Sequence, residues 1–400
     1  MSAVQSTLTL KPSKSKTEVK NEVKKETNGI FGIEGLIRAM LKKHRTPFMI
    51  IRRSVLEKQY MRFRKHLPMV TPYYAIKANP HSDIIKTFLK LGSSFDVASG
   101  AEMKYVLSLG ASPSKIIFAN TIKSPEDISF ARKRRVKFMT FDNEPELYKI
   151  SKYYPGAHVL LRIKVKNSGS MVELSLKFGA DPEHAYLLLR KAEVLGLVPM
   201  GLSFHVGSQA TNVENYLQAL EMSSRIFTES KENGMPLKIM DIGGGFPIQH
   251  FDNEMGINFE RMACQIKQQL RNLFDKNVKF IAEPGRFFAG PAGILVTQVI
   301  GRTFRNNKNY YYLNDGIYAD FSGMVFDHCR YEFKTLRRGQ TFLSALAGPT
   351  CDSFDTLSLN EDIPELYLDD VVYVKNIGAY SCASATAGFN GFPPAKVILV

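Results

Sequence analysis

A repeat restricts the fold of this 400-residue chain more than any other feature. Short β-rich runs alternate with amphipathic helical stretches eight times between Pro72 and Glu283. The expected strands are Pro72–Ile76, Ser94–Ala98, Lys115–Ala119, Val136–Thr140, His158–Lys164, Gly201–His205, Lys238–Ile242 and Lys279–Glu283. Helical patterns fall between them, among them Ser82–Leu91, Pro182–Leu195, Val213–Asn233 and Phe259–Phe274. Eight consecutive β/α units require parallel strands, and parallel strands in that number close into a (β/α)8 TIM-like barrel. After residue 290 the rhythm changes. Ile294–Val299, Tyr310–Leu313, Gln340–Leu343, Val371–Val374 and Lys396–Val400 read as strands without long helices between them. Phe48–Arg52, ahead of the barrel, supplies one more. The expected organisation is a lysine-rich disordered tail (1–28), an N-terminal piece of a β domain (29–53), the barrel (54–290) and the C-terminal β domain (291–400). The second domain is then a β-sandwich or β-barrel-like unit drawn from both sides of the barrel in sequence.

Composition narrows the function classes. No apolar run reaches the ~18 residues of a membrane span. Net charge is +15, with a local excess: residues 1–28 carry six Lys against three Glu, and Arg132, Lys133, Arg134 and Arg135 form one run. No interleaving of aromatic and basic residues or zinc-finger spacing accompanies it, so the charge reads as a solvated basic surface rather than a nucleic-acid site. The cysteines, Cys264, Cys329, Cys351 and Cys382, are scattered without a C-x-x-C pair, which supports neither a disulfide framework nor a metal site. No apolar signal-peptide core lies near the N-terminus, and a cytoplasmic location is the expectation.

In a barrel of this kind, chemistry gathers at the C-terminal ends of the strands. Those ends supply Lys77, Asp96, Arg162, His205 with Ser208 just beyond, the turn Gly243-Gly244-Gly245, and Glu283-Pro284-Gly285-Arg286. Taken singly, each has an ordinary structural reading; together they form a chemical set. Lys77 can condense with an aldehyde. Glu283 can bond a pyridine nitrogen and keep it protonated. His205 can stack on a ring. The glycines can bring backbone N–H groups to a phosphate, with a following helix start adding its dipole, and Arg286 can clamp the same phosphate. An aldehyde, a pyridine and a phosphate together describe pyridoxal 5'-phosphate (PLP).

At these residues the sequence resembles the eukaryotic-type ornithine decarboxylase family, built on an alanine-racemase-like barrel. Eight blocks carry the resemblance, in order from about residue 32 to the C-terminus. They are Pro72-Tyr-Tyr-Ala-Ile-Lys77-Ala-Asn79, Phe95-Asp96-Val-Ala-Ser-Gly100-Ala-Glu102, Ser203-Phe-His205-Val-Gly-Ser208, Asp241-Ile-Gly-Gly-Gly245-Phe-Pro, Ala282-Glu-Pro-Gly-Arg286-Phe-Phe, Asn314-Asp-Gly-Ile-Tyr318, Gly348-Pro-Thr-Cys351-Asp352 and Gly378-Ala-Tyr380. The resemblance implies PLP on Lys77, with Asp96 and Arg162 steering the lysine and His205 on the ring. It implies Ser208, Gly245, Gly285, Arg286 and Tyr380 at the phosphate, and Glu283 at the pyridinium. Cys351 is the implied proton donor after carbon dioxide leaves, and Asp327, Asp352 and Phe389 are implied at the substrate. Cys351 and Asp352 serve the cofactor of the other subunit in this family, so a head-to-tail homodimer with shared active sites is expected, as is a possible regulator of the antizyme type. Two departures stand out. Phe326 precedes Asp327 where the family often has Tyr, and the chain stops soon after Phe389-Asn-Gly-Phe392, without the degradation tail of the animal enzymes.

The activity implied is decarboxylation of a basic amino acid, with ornithine going to putrescine. Lysine, arginine and diaminobutyrate are the rival substrates; Asp327 argues against arginine, because relatives acting on it can carry Glu there. A non-catalytic homologue of the antizyme-inhibitor kind would lose cofactor residues, which are intact here. A racemase on the same barrel is disfavoured by the block Gly348-Pro-Thr-Cys351-Asp352.

Overall fold

A computed structural model describes residues 32–168, 170, 177–252, 258–386 and 388–400. The lysine-rich segment 1–28 lies outside the described residues. The chain divides into two units. One ends at Thr46 and contains a helix, Ile33–Leu41 (α1), with Leu36, Ile37 and Met40 buried at helical spacing. The other is Pro47–Leu399, and the terminal Val400 groups with the first.

Eight parallel strands close into the expected barrel. They are β2 (Val70–Ala75), β3 (Ser94–Val97), β4 (Ile116–Phe118), β5 (Phe138–Phe141), β6 (His158–Arg162), β7 (Val198–Ser203), β8 (Ile239–Asp241) and β9 (Lys279–Ala282). Each pairs with the next in sequence, and β2 closes on β9 through Val70 opposite Phe280. The intervening helices start where a side chain can satisfy the first free amides. Ser99, Ser124 and Asn143 each accept an amide hydrogen bond at such a start, and Pro125 and Pro145 follow two of them.

One barrel helix escapes the sequence reading. Arg53–His66 (α2) has no capping side chain and a polar surface, yet it buries Leu56, Gln59, Tyr60 and Phe63. Phe63 meets Phe246 edge-on at 5.3 Å, and Phe259 lies 4.3 Å from Phe287. These rings sit under the loops that carry Gly243–Gly245 and Arg286. Each buried ring is worth about 1.5–3 kcal/mol, so the site rests on a rigid apolar base.

The remaining strands form a mixed eight-stranded sheet. β1 (Phe48–Ile51) runs antiparallel to β10 (Gly293–Arg305) and parallel to β16 (Lys396–Leu399). The segment before the barrel therefore joins the segment after it. β10 also bonds β15 (Val371–Lys375) and, past an irregularity between Val299 and Gly301, β11 (Lys308–Leu313). β13 (Thr341–Ala347) lies between β11 and β14 (Thr356–Pro364). β14 and the two-residue β12 (Lys334–Thr335) were not expected. β14 reads Thr-Leu-Ser-Leu-Asn-Glu-Asp-Ile-Pro, too polar to stand out from a loop.

Two buried carboxyls in this domain, Asp315 and Asp320, face each other. Burial, then the neighbouring Asp320, raises Asp315 well above the usual carboxylate range. Burial pushes Asp320 up to about 6. Asp315 Oδ2 and Asp320 Oδ1 are buried without an ordinary donor, and one shared proton satisfies both. A raised native pKa stabilises below the unfolded value and is lost as pH rises through the native one. The pair's contribution thus falls as pH rises from about 4 through about 6. Asp315→Asn replaces the shared proton with an amide donor, so this loss should disappear from melting curves taken across that range. An unchanged pH slope in the variant would assign the loss to other groups.

Candidate active site

The C-terminal ends of the barrel strands surround a cavity of about 330 Å³. Lys77, Arg162, His205, Ser208, Gly245, Glu283, Gly285, Arg286, Asp327 and Tyr380, all singled out from sequence, line it. A larger cavity of about 1030 Å³ opens at the opposite end of the barrel, among Met69, Phe138, Met200, Ile239 and Phe280. Its one carboxylate, Asp275, is exposed and paired with Lys231 at the surface, whereas the smaller cavity holds buried acids, so the smaller cavity is the chemical one.

Lys77 sits in a single 3-10 turn, Ile76–Ala78, directly after β2. Its Nζ donates to Asp96 Oδ2 at 3.1 Å, and Asp96 is buried at the end of β3. The 43% of the Lys77 side chain that stays accessible faces the cavity. Burial works against its charge, but Asp96, Tyr380 and Glu283 outweigh that and hold its ammonium above the ordinary lysine range. Arg162 ends β6 and stacks on Phe178, 5.1 Å from the ring centroid.

Glu283 follows β9, and its Oε1 is buried without a hydrogen-bond partner. Burial, then Asp241 and Asp96, raise its pKa well above the ordinary value. Asp241, at the end of β8, is pushed up to about 6, mainly by burial. The two acids lie close enough to hold one proton between them. His205 accepts the Gly207 N–H at Nδ1 (3.0 Å), leaving Nε2 to carry its proton. Burial, then Arg162 and Lys77, hold His205 well below the usual imidazole range, so the ring is neutral. A side chain at Gly244 would lie 2.9 Å from His205 Nε2 and 2.7 Å from the Glu283 carbonyl, so only glycine lets this turn pass between them.

Arg286 is 6% exposed. Its Nη2 reaches Ser208 Oγ at 3.3 Å, its Nη1 reaches Cys329 Sγ at 3.3 Å, and its guanidinium lies 4.8 Å over the Tyr380 ring. It also ion-pairs with Asp327. The structure thus places Asp327, expected at the substrate, on the cation expected at the phosphate.

One expectation is corrected. Among the described residues no helix begins directly after Gly245; residues 246–252 are irregular, and Phe259–Leu273 is the next described helix. The four-residue helix at Arg286–Ala289 is too short to replace the expected dipole.

Cys351, Asp352 and Phe389 are not among the residues lining the cavity. They form a cluster of their own. Tyr318 donates to Asp352 Oδ2 at 2.5 Å and stacks on Phe389 at 4.1 Å, while Cys351 contacts Asn390. The sequence reading missed Tyr318, Asn390, Phe178 and the pairing of Asp241 with Glu283. Asp241 offered a signal, an acid at a strand end two residues before the glycines. Nothing marked Phe178 or Asn390.

The cavity suits PLP on its own chemistry: a lysine beside a carboxylate, a buried acid with a free oxygen, a neutral imidazole, and a glycine turn next to an arginine. Barrel enzymes that carry PLP at their strand ends are the class this defines. Residues 53–290 match the pyridoxal binding domain of the pyridoxal-dependent decarboxylases, and the chain belongs to that family. It is a PLP-dependent amino-acid decarboxylase. It is 40% identical to the lysine/ornithine decarboxylase of Selenomonas ruminantium, over 91% of this chain and 92% of that protein. It is 36% identical to antizyme inhibitor 2 of Xenopus laevis, over 88% and 80% of the two chains. The crystal structure of the Vibrio vulnificus lysine/ornithine decarboxylase complexed with putrescine superposes with a TM-score of 0.86 at 35% identity, covering 93% of this chain and 99% of that one. Among the described residues no helix is long and apolar enough to cross a membrane.

Proposed function

We propose that the enzyme converts L-ornithine to putrescine, in a homodimer whose two active sites each draw on both subunits. The observation that carries this reading is the separation of two acid-bearing clusters, one around Lys77 and one around Cys351. Asp352 in the second is suited to a distal ammonium, while Asp327 lines the first beside Arg286, its ion-pair partner. A second copy that brings its Cys351, Asp352 and Phe389 to the rim of the Lys77 cavity completes the site.

Bound PLP supplies an electrophilic carbon for an amine and a ring that takes up the electron pair left when carbon dioxide departs. Lys77 would hold it through Nζ, with Asp96 and Arg162 steering that ammonium. Glu283 would bond the ring nitrogen through its free Oε1, with Asp241 sharing the proton load. Neutral His205 packs on the ring face without adding a positive charge that would compete with the ring nitrogen for Glu283. Ser208, Gly245, Gly285, Arg286 and Tyr380 hold the phosphate, with Gly243 and Gly244 shaping the turn. Cys351 gives its thiol proton to the substrate carbon that has lost carbon dioxide. Lysine decarboxylation is the second reading, favoured by the relatives that act on both amino acids. The four cysteines are free, which supports a reducing cytoplasm as the location. The likeness to an antizyme inhibitor supports a regulator of the antizyme type.

Asp352→Ala should raise the KM for ornithine on the order of tenfold and lower kcat, because the distal ammonium loses a charged partner. Asp327→Glu lengthens its side chain by one methylene and should favour shorter substrates over ornithine. The check is kcat/KM for ornithine, lysine and diaminobutyrate in wild type and both variants. Equal losses on all three substrates would mean that these aspartates hold the fold or the cofactor instead of the substrate tail.

A further inference from the structure

Residues 348–352 run from buried Gly348 to exposed Cys351 and are held by specific contacts. Buried Asp355 accepts the Thr350 amide at 3.1 Å, and its carbonyl accepts the Gly348 amide at 2.8 Å. The next residue, Cys351, donates twice to one atom: its backbone N–H reaches Asn390 Oδ1 at 3.1 Å, and its Sγ reaches the same oxygen at 3.3 Å. Asn390 is itself fixed. It has a left-handed backbone, φ 50° and ψ 16°, inside the turn Phe389–Gly391, a conformation that asparagine tolerates better than most residues. Its neighbour Phe389 is pinned by stacking on Tyr318, which bonds Asp352.

We propose that Asn390 is the positioning residue for the Cys351 thiol: by holding Sγ in one rotamer it fixes the place from which the proton, once turned off Asn390 Oδ1, goes to the substrate carbon rather than to the cofactor. This rests on the reading of Cys351 as proton donor. A thiol has three staggered positions, and an acceptor shared with the cysteine's own amide selects one of them. Loss of carbon dioxide leaves an electron pair that can accept a proton at either of two carbons. A proton placed on the substrate carbon gives the diamine, and the thiolate is then reprotonated by solvent. A proton placed on the cofactor carbon gives, after addition of one water, 4-aminobutanal and the aminated cofactor, pyridoxamine phosphate. Aim therefore decides the product.

The backbone conformation supplies a clean test. Asn390→Gly keeps the left-handed turn and removes only the amide, whereas Asn390→Asp keeps an acceptor oxygen in place. Two quantities are read on the holoenzyme dimer: the ratio of putrescine to 4-aminobutanal formed from ornithine, and the rate of Cys351 alkylation by iodoacetamide, followed by peptide mass spectrometry. The Gly variant should raise the aldehyde fraction at least about tenfold and label Cys351 severalfold faster. The Asp variant should retain the wild-type product ratio and label no faster than wild type. A Gly variant with wild-type partition and wild-type labelling overturns the proposal. Faster labelling in the Gly variant, with no carbon dioxide released from ornithine by wild type, would instead leave the positioning contact standing and remove the ornithine reading.

Discussion

Lys77→Ala removes the visible absorbance of covalently held PLP and lowers turnover on the order of 10³-fold or more. Lys77 is the one lysine lining the cavity among the described residues. Its Nζ stands 3.1 Å from buried Asp96, and no other amine is placed to replace it. Loss of the ammonium also leaves Asp96, whose Oδ1 has no partner, as an uncompensated buried charge. Fold loss and cofactor loss must therefore be separated, by a melting curve and far-UV circular dichroism beside the absorbance spectrum. A folded variant that keeps the visible band would show that the cofactor is attached elsewhere.

Mixing inactive Lys77→Ala with Cys351→Ala, which lacks the proton donor for putrescine, restores putrescine formation if each site takes residues from both chains. After random exchange about half the dimers are mixed, and each has one site with both residues intact, giving ~25% of wild-type activity. The Cys351 cluster is held within its own chain by Tyr318, Asn390 and Asp355, so it travels intact with either variant. Subunit exchange is verified with differently tagged chains. Mixtures that exchange subunits and stay inactive would place the whole site in one chain.

The barrel was legible because its signal is redundant: eight apolar runs, alternating with helical stretches, survive an error of one or two residues at any end. Its chemistry was legible for a related reason. Lys77, Asp96, Arg162 and Glu283 lie at or just past strand ends, and a closed barrel brings strand ends to one rim. What was not legible depends on contacts between distant segments. Asn390 and Cys351 are far apart in sequence, and their meeting is set by the Tyr318–Phe389 stack. The ion pair of Arg286 with Asp327 likewise joins two segments whose spacing predicts nothing. β14 was missed because its alternation is carried by polar residues, and α2 because its start has no cap. The helix expected next, Phe259–Phe274, is present as Phe259–Leu273, but the dipole expected from a helix start at the glycines was an error of analogy. Glycines before a helix make one kind of phosphate site, but here they form a turn squeezed between His205 and Glu283.

The most direct test of the ornithine assignment is the release of carbon dioxide from ornithine, lysine, arginine and diaminobutyrate, assayed side by side with added PLP. The highest kcat/KM is expected for ornithine, with lysine second, and putrescine as the product. Faster release from any of the other three would contradict the assignment of the substrate, and release from none would contradict the catalytic reading of the site itself.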